Sequence, residues 1–599
     1  MANPAFAIET SLVDPLPHQR IAVYEHMLPQ EQLRFLLADD AGAGKTIMAG
    51  LYIREMLSRR LVRRVLVVPP AGLIGNWARE LQRFFGLEFL LARSSDLRQG
   101  NPFTRNGSDL TVCSLDTLRG EAMFARLQAP DVEPYDLVVF DEAHKLSARR
   151  EPDLTTVKTD RYKLAEALAG IQHDDPRWSL DWGARHLLLL TATPHMGKDY
   201  PYYALWRLLE PETLGAFEAF ADYGASERRA HFVRRTKEEM VDISGAPLYR
   251  PRYSTTLGFD LSQGKDSEQE LYDRTTAYMR GFYNKAGILN ASAARLAQSV
   301  FQRRLASSTY AVVRSLERRG QRLDELIAQV REGRLTEHQI RSALQNISDP
   351  FAGTADDDAD EAGREAHEEI EDRLLRLLLS TSLQDLELER REVSALVTLG
   401  HGVLAAAQDA KFTELRRVLL DERYRDQKFI VFTEHRDTLE WLRQQLEALG
   451  FTDRIAGIHG GLDFRQREAE VERFRLPSSQ DGAQYLLATD AAGEGINLQF
   501  CWLMVNYDIP WNPARLEQRM GRIHRYGQKH DVFIFNLVAT STREGQVLAT
   551  LLHKLEDIRS AMGSDKVFDV IGHVLDGVSM LDFMAEALTA EGAVRAAER

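Results

Sequence analysis

At 599 residues the chain is longer than one hydrophobic core accommodates, and its 44% hydrophobic and 27% charged content suits a soluble protein of two to four domains. A net charge of −14 excludes a wholesale basic coat for nucleic acid, but not a local basic groove, because ten of the carboxylates crowd into residues 356–372. The N-terminal residues show no basic stretch followed by an apolar run, no aliphatic tract is long enough to span a bilayer, and Cys113 and Cys501 have no zinc-ligand spacing. A signal peptide, a membrane span, a disulfide scaffold and structural zinc are therefore not expected, and a cytoplasmic location is.

In chain order, short apolar runs alternate with helical patterns over the first 245 residues: RFLLA (34–38), VLVVPP (65–70), LTVCS (110–114), DLVVF (136–140) and HLLLLT (186–191). Continuous Val/Leu runs separated by helices predict a parallel sheet buried on both faces. Residues 246–410 are rich in Ala, Leu, Arg and Gln at helical spacing and predict a helical insertion, interrupted by the acidic run. That run reads as a solvated linker; an acidic lid over a basic groove is the sharper alternative. The strand texture returns over 411–562 in KFIVFT, YLLATD, LMVNYD and VFIFNLV. There Leu439, Leu442, Leu446 and Leu449 share one helical face that stops at Gly450. Residues 563–599 predict a short helical tail. The fold class is α/β, with two tandem doubly wound lobes and a helical insertion between them.

Three stretches carry chemistry. DDAGAGKT (39–46) follows a predicted strand and opens a helix, the context of a phosphate-binding loop. Gly42 and Gly44 let backbone N–H groups approach phosphate, Lys45 reaches the β and γ phosphates, and Thr46 ligates Mg²⁺. The first residue is anomalous, because Asp39 stands where the pattern asks for glycine. FDEAH (140–144) ends a predicted buried strand, where open α/β sheets bind ligands; Asp141 suits the metal and Glu142 the attacking water. LEQRMGRIHRYGQ (516–528) sets Arg522 and Arg525 three apart, on one face if helical, as charge-stabilising guanidinium groups.

These stretches join PHQ (17–19), VVPPAGLIGNW (67–77), VCSLDTLR (112–119), LTATP (190–194), FVRRTKEEM (232–240), FIVFTEH (429–435), GIHGGL (457–462), ATDAAGEGINLQ (488–499) and DIPWNP (508–513) in one ordered series. The series resembles the superfamily-two helicase motifs in their Snf2-like branch, whose marks are RRTK, PWNP and GRIHRYGQ. FQRRLASS (301–308) and STREGQVLATLLHKL (541–555) are similar to its bacterial RapA-like members. In the Snf2-like pattern aspartate takes the place of the first loop glycine, so the resemblance accounts for Asp39.

The resemblance implies RecA-like lobes and the cofactors ATP and Mg²⁺. It implies that Gln19 reads adenine, that Thr191 and Thr193 couple nucleotide to the DNA path, and that Gln518, Arg522 and Arg525 close on the γ-phosphate. It puts Pro70, Asn76, Ser114, Thr433, Thr489 and Trp511 at the DNA. The implied activity is ATP-dependent translocation on double-stranded DNA without sequence reading, by cyclic cleft closure, displacing or remodelling bound proteins. The alternatives are a strand-separating DNA or RNA helicase, a RapA-like RNA polymerase recycling factor, and a scaffold with a decayed ATPase, the last opposed by the intact motif residues. Implied protein partners are RNA polymerase or a methyltransferase or nuclease of an anti-phage defence system such as DISARM.

Overall fold

The apolar runs form strands whose alternate residues are buried on opposite faces. In the computed structural model, which describes residues 6–150, 153–173, 175–194, 199–287, 300–336, 339, 382–406, 409–462, 464–490, 496–510 and 513–562, the chain divides into two compact units. The first runs to Arg250 and also takes in His524–Gly527; the second starts at Pro251. Trp511, the acidic run and the 563–599 tail lie outside the described residues.

The first unit is built on β1 (Arg34–Leu37), β2 (Val65–Val68), β3 (Leu90–Ala92), β4 (Leu110–Cys113), β5 (Leu137–Phe140), β8 (His186–Leu190) and β9 (Phe232–Val233), with a small hairpin of β6 (Ala148–Arg150) and β7 (Thr156–Lys158). The sheet order is β3-β4-β2-β5-β8-β1-β9, and every pairing is parallel. Leu36, Leu66, Val138 and Leu187 enter one apolar cluster; their neighbours Leu37, Val65, Val139 and Leu188 enter another on the opposite face. Each such burial contributes about 1.5–3 kcal/mol.

The second sheet comprises β10 (Arg252–Phe259), β11 (Phe429–Thr433), β12 (Ile455–Ile458), β13 (Tyr485–Thr489), β14 (Leu503–Asn506) and β15 (Val532–Ala539), in the parallel order β10-β15-β14-β11-β13-β12. Phe429, Val431, Leu487 and Val505 pack with Leu439, Leu442 and Leu446 of the helix Arg436–Leu446. Gly450 ends the following turn at φ 92, while Leu449, expected on the apolar face, is exposed because it falls in that turn.

The segment from 246, expected to be largely helical, contributes a strand first. β10 pairs along its whole length with β15, from Arg252↔Val532 to Phe259↔Ala539. Beyond it come the helices Glu268–Gly287, Thr309–Arg331, Leu383–Ala405 and Ala410–Leu419. Val312, Leu316, Leu323 and Leu326 recur at helical spacing and bury against Leu386, Val393 and Leu396. A fully buried Arg319–Glu389 pair, joined by the Tyr278 hydroxyl (2.8 Å), crosses that apolar interface.

Candidate active site

β1, β8 and β5 are adjacent, so the loops after them leave the same edge of the sheet side by side. The phosphate loop follows β1, Thr191 and Thr193 follow β8, and Asp141 and Glu142 follow β5. Motifs far apart in sequence are thus gathered at the carboxyl ends of three parallel strands.

The phosphate loop turns through Gly42 and Gly44 at φ +89 and +85, where side chains rarely fit. Space adds a second requirement: a Cβ on Gly44 would lie 2.4 Å from Gln19 Nε2, and one on Gly42 3.0 Å from Arg525 Cγ. The helix Lys45–Ser58 opens its first-turn N–H groups onto the loop. Lys45 donates from Nζ to the carbonyls of Asp39 (2.7 Å) and Asp40 (3.2 Å), and Thr46 is half-buried beside it. Gln19 braces the loop by donating to the Ala43 carbonyl (3.0 Å) while accepting from Leu16 N–H (3.0 Å). His18, held neutral by burial, reaches the same carbonyl from Nε2 at 3.0 Å.

Asp39 is fully buried and gives both carboxylate oxygens to Arg235, at 3.1 Å from Nε and 2.6 Å from a terminal nitrogen. The other terminal nitrogen of Arg235 donates to the His18 carbonyl (2.6 Å), and Asp40 accepts from Lys237 N–H (3.1 Å). The RRTK run therefore forms the back wall of the loop. Sequence reading used it only as a family mark; the charge match between Asp39 and a later arginine was the available signal.

Asp141 accepts from the Trp77 indole N–H (2.8 Å) and from Glu142 N–H (2.9 Å). Burial, and then the neighbouring Glu142, push its pKa up to about 7. Glu142 sits at φ 50, a left-handed conformation costly for a residue with a Cβ and of a kind concentrated at functional sites. Its Oε2 lies 3.4 Å from His144 Nδ1, which also lies 2.9 Å from the Thr191 hydroxyl; Thr193 N–H donates to that hydroxyl (3.1 Å). Glu142, Thr191 and Thr193 thus cluster around His144, with Thr191 and Thr193 hydrogen-bonded and Glu142 in charge contact. His144 and Trp77, both inside quoted motifs, were not singled out from sequence.

The oxygen donors assigned to a cation from sequence are Thr46 and Asp141. Among the described residues no three His, Cys, Asp or Glu side chains converge as a metal site. A divalent ion would therefore take most of its ligands from nucleotide phosphates and water, which fits the habits of Mg²⁺.

The half-buried Gln518 lies on the helix Pro513–Met520, and Arg522 lies just beyond it. Arg519 anchors that helix: it is buried, pairs with both oxygens of Asp490, and donates to Asn506 Oδ1 (3.2 Å) and to the Asp508 carbonyl. Arg252 adds an ion pair to Glu517 (2.5 Å). The amide of Gln528 donates to the carbonyls of Gln499 (2.8 Å), Cys501 (2.9 Å) and Ile523 (3.1 Å), so the last glutamine of GRIHRYGQ is a main-chain clamp.

Among the positions assigned to DNA, the Ser114 side chain is buried and caps a short helix through Thr117 N–H (3.0 Å). Thr433 is buried and donates to Asp508 (2.5 Å), and Thr489 is buried. All three are thus buried as whole residues, main chain included. Pro70 and Asn76 flank the turn that leads to Trp77, and Asn76 accepts from Arg79.

Two family models match the chain: "Type III restriction enzyme, res subunit" over residues 12–196 and "Helicase conserved C-terminal domain" over residues 410–527. An "Uncharacterized ATP-dependent helicase YqhH" of Bacillus subtilis is 28% identical over 562 residues, covering 92% of this chain and 80% of that protein. An "RNA polymerase-associated protein RapA" of Serratia proteamaculans is 28% identical over 538 residues, covering 87% of this chain but only 47% of its own length. The chain thus spans about half of that relative. Family models on both sheets and relatives aligned along most of the chain support a superfamily-two, Snf2-like helicase-related ATPase, an ATP-hydrolysing enzyme.

Proposed function

We propose that the enzyme translocates on double-stranded DNA and uses ATP hydrolysis to displace or remodel bound proteins. Lys45 and the phosphate-loop N–H groups would hold the triphosphate, Thr46 and Asp141 would hold Mg²⁺, and Gln19 would border the base. Bound there, the ion would offset charge on the β and γ phosphates. Glu142 orients and deprotonates the attacking water. Gln518, Arg522 and Arg525 stabilise the charge that builds on the γ-phosphate during its transfer.

The observation that carries the reading is the Trp77–Asp141 hydrogen bond. Trp77 directly follows Asn76, in the segment assigned to DNA. A backbone contact at Pro70–Asn76 therefore bears on the carboxylate assigned to the metal, which supports hydrolysis that depends on a phosphate backbone and not on base identity. The RNA polymerase association of the RapA relative favours RNA polymerase as the partner over a defence-system nuclease or methyltransferase.

The test is the ATPase rate without nucleic acid and with duplex DNA, single-stranded DNA or RNA, using Glu142→Gln as the blank. Stimulation by duplex, together with displacement of a triplex-forming strand and no unwinding of the duplex, is expected. Preference for single strands or RNA would replace the reading with a strand-separating helicase, and equal rates in all four conditions would overturn it.

A further inference from the structure

A buried polar cluster in the second unit ties the helical segment to the strand ends. The carboxylate of Asp508, just past β14, accepts four hydrogen bonds. They come from the Thr433 hydroxyl (2.5 Å), Glu434 N–H (3.1 Å), the Ser307 hydroxyl (2.7 Å) and Lys411 Nζ (2.7 Å). Lys411 also donates to the carbonyls of Ala306 (2.8 Å) and Ser307 (2.9 Å) and lies 4.4 Å from the centre of the Tyr507 ring. The hydroxyls of Ser307 and Ser308 both reach Thr438 Oγ1, at 2.8 and 2.9 Å. Since Ser308 Oγ caps Ala311 N–H and Ser307 donates to Asp508, the protons run from Ser308 through Thr438 and Ser307 to the carboxylate. Arg304 (3.2 Å) and Arg318 (2.9 and 2.8 Å) close on Asp437 beside it.

An interface serving only to pack helices on a sheet is made more cheaply from apolar side chains. A buried hydrogen-bonded network instead specifies one arrangement. What it specifies here is the position of Asp508, whose main-chain carbonyl accepts from Arg519, the residue next to Gln518 on the same helix.

We propose that Ser307 and Lys411 are positioning residues for ATP turnover. By fixing Asp508 they fix the helix carrying Gln518 and the turn carrying Arg522, so the helical segment sets kcat. This rests on the roles proposed above for Gln518 and Arg522.

The test compares Ser307→Ala, Asp508→Asn, the double variant and Val393→Ala in the full chain, reading kcat, KM for ATP and melting temperature. Val393 lies in the helical segment's own apolar core and serves as a packing control. Loss of the Ser307 hydroxyl is expected to lower kcat about tenfold with KM for ATP changed less than about twofold, because an interaction felt only in turnover is removed. In the Asp508→Asn background the same substitution should change kcat by less than about twofold, since the two act as a unit. Val393→Ala should lower melting temperature and leave kcat alone. If Ser307→Ala does not fold, Lys411→Arg, which keeps the cation and disturbs its geometry, is expected to show the same split. Wild-type kcat in folded Ser307→Ala, or equal losses of kcat in Ser307→Ala and Val393→Ala, would overturn the proposal. Arg522→Ala hydrolysing at the wild-type rate would overturn the site reading and this one with it.

Discussion

Replacing Asp39 by glycine would restore the commoner phosphate-loop residue, yet the structure predicts a severe defect. The Asp39 side chain is fully buried and the Arg235 side chain is 19% exposed; the two share a bidentate contact at 3.1 and 2.6 Å. Asp39→Gly leaves the guanidinium in the protein without its counter-charge, and breaking one half of a buried pair costs about 3–5 kcal/mol. For a unit of this size each kcal/mol shifts the melting midpoint by about 2–4 °C, so the transition reporting the first unit should fall by roughly 10 °C. Removing both charges together is far less costly, so Asp39→Gly/Arg235→Met should regain at least half of that loss. Because Arg235 also holds the His18 carbonyl, KM for ATP should rise about tenfold in the single variant, by the loss of ground-state binding. Scanning calorimetry and steady-state ATPase assays measure both quantities. A melting point for Asp39→Gly within about 2 °C of wild type, or a double variant no more stable than the single, would refute the reasoning.

The raised pKa of Asp141 gives a pH signature. Unfolded, this carboxylate ionises near its ordinary value of about 3.9, whereas in the fold it keeps its proton up to about 7. The folded state binds the extra proton between those values, so this stabilisation declines as pH rises through the window. Without nucleotide, wild type should lose melting temperature relative to Asp141→Asn between pH 5 and 7.5; parallel curves would refute the assignment. Trp77→Phe keeps the ring and removes the N–H to Asp141, and turnover should fall about tenfold with folding intact. An unchanged rate would remove Trp77 from the link between the DNA-facing segment and the metal carboxylate. Lys45→Ala should abolish turnover, and Arg525→Ala should reduce kcat more than nucleotide affinity, measured by a fluorescent analogue; normal hydrolysis in Arg525→Ala would refute its role.

The strands that sequence reading found are those with uninterrupted apolar runs, such as Val65–Val68 and His186–Leu190, where burial on both faces leaves a continuous signal. Three of the strands it missed lack that signal. β9 has two residues, β12 is Ile-Ala-Gly-Ile, and β10 is an edge strand with exposed Tyr253, Thr255 and Thr256. The phosphate loop and the DEAH residues were legible because phosphate chemistry demands specific residues at close spacing. The partners Arg235, Trp77 and Arg519 were not, because each acts through contacts between sequence-distant residues. The DNA-facing assignments were least legible. Motif spacing locates a strand end but does not say whether Thr433 or Thr489 turns its hydroxyl inward, as both do.

The pairing of β10 with β15 has a consequence for biosynthesis. The last strand of the first sheet, β9, is made by Val233, so that sheet can close while the chain is still growing. The second sheet cannot. β10 leaves the ribosome with an unpaired edge and waits for a partner 280 positions later. At about 5–20 residues per second that interval is roughly 15–55 s, long for a strand carrying Tyr253, Leu257 and Phe259. During it, pairing with another nascent chain is the competing reaction. Expression of the second unit should therefore be more sensitive to chaperone supply and translation rate than that of the first.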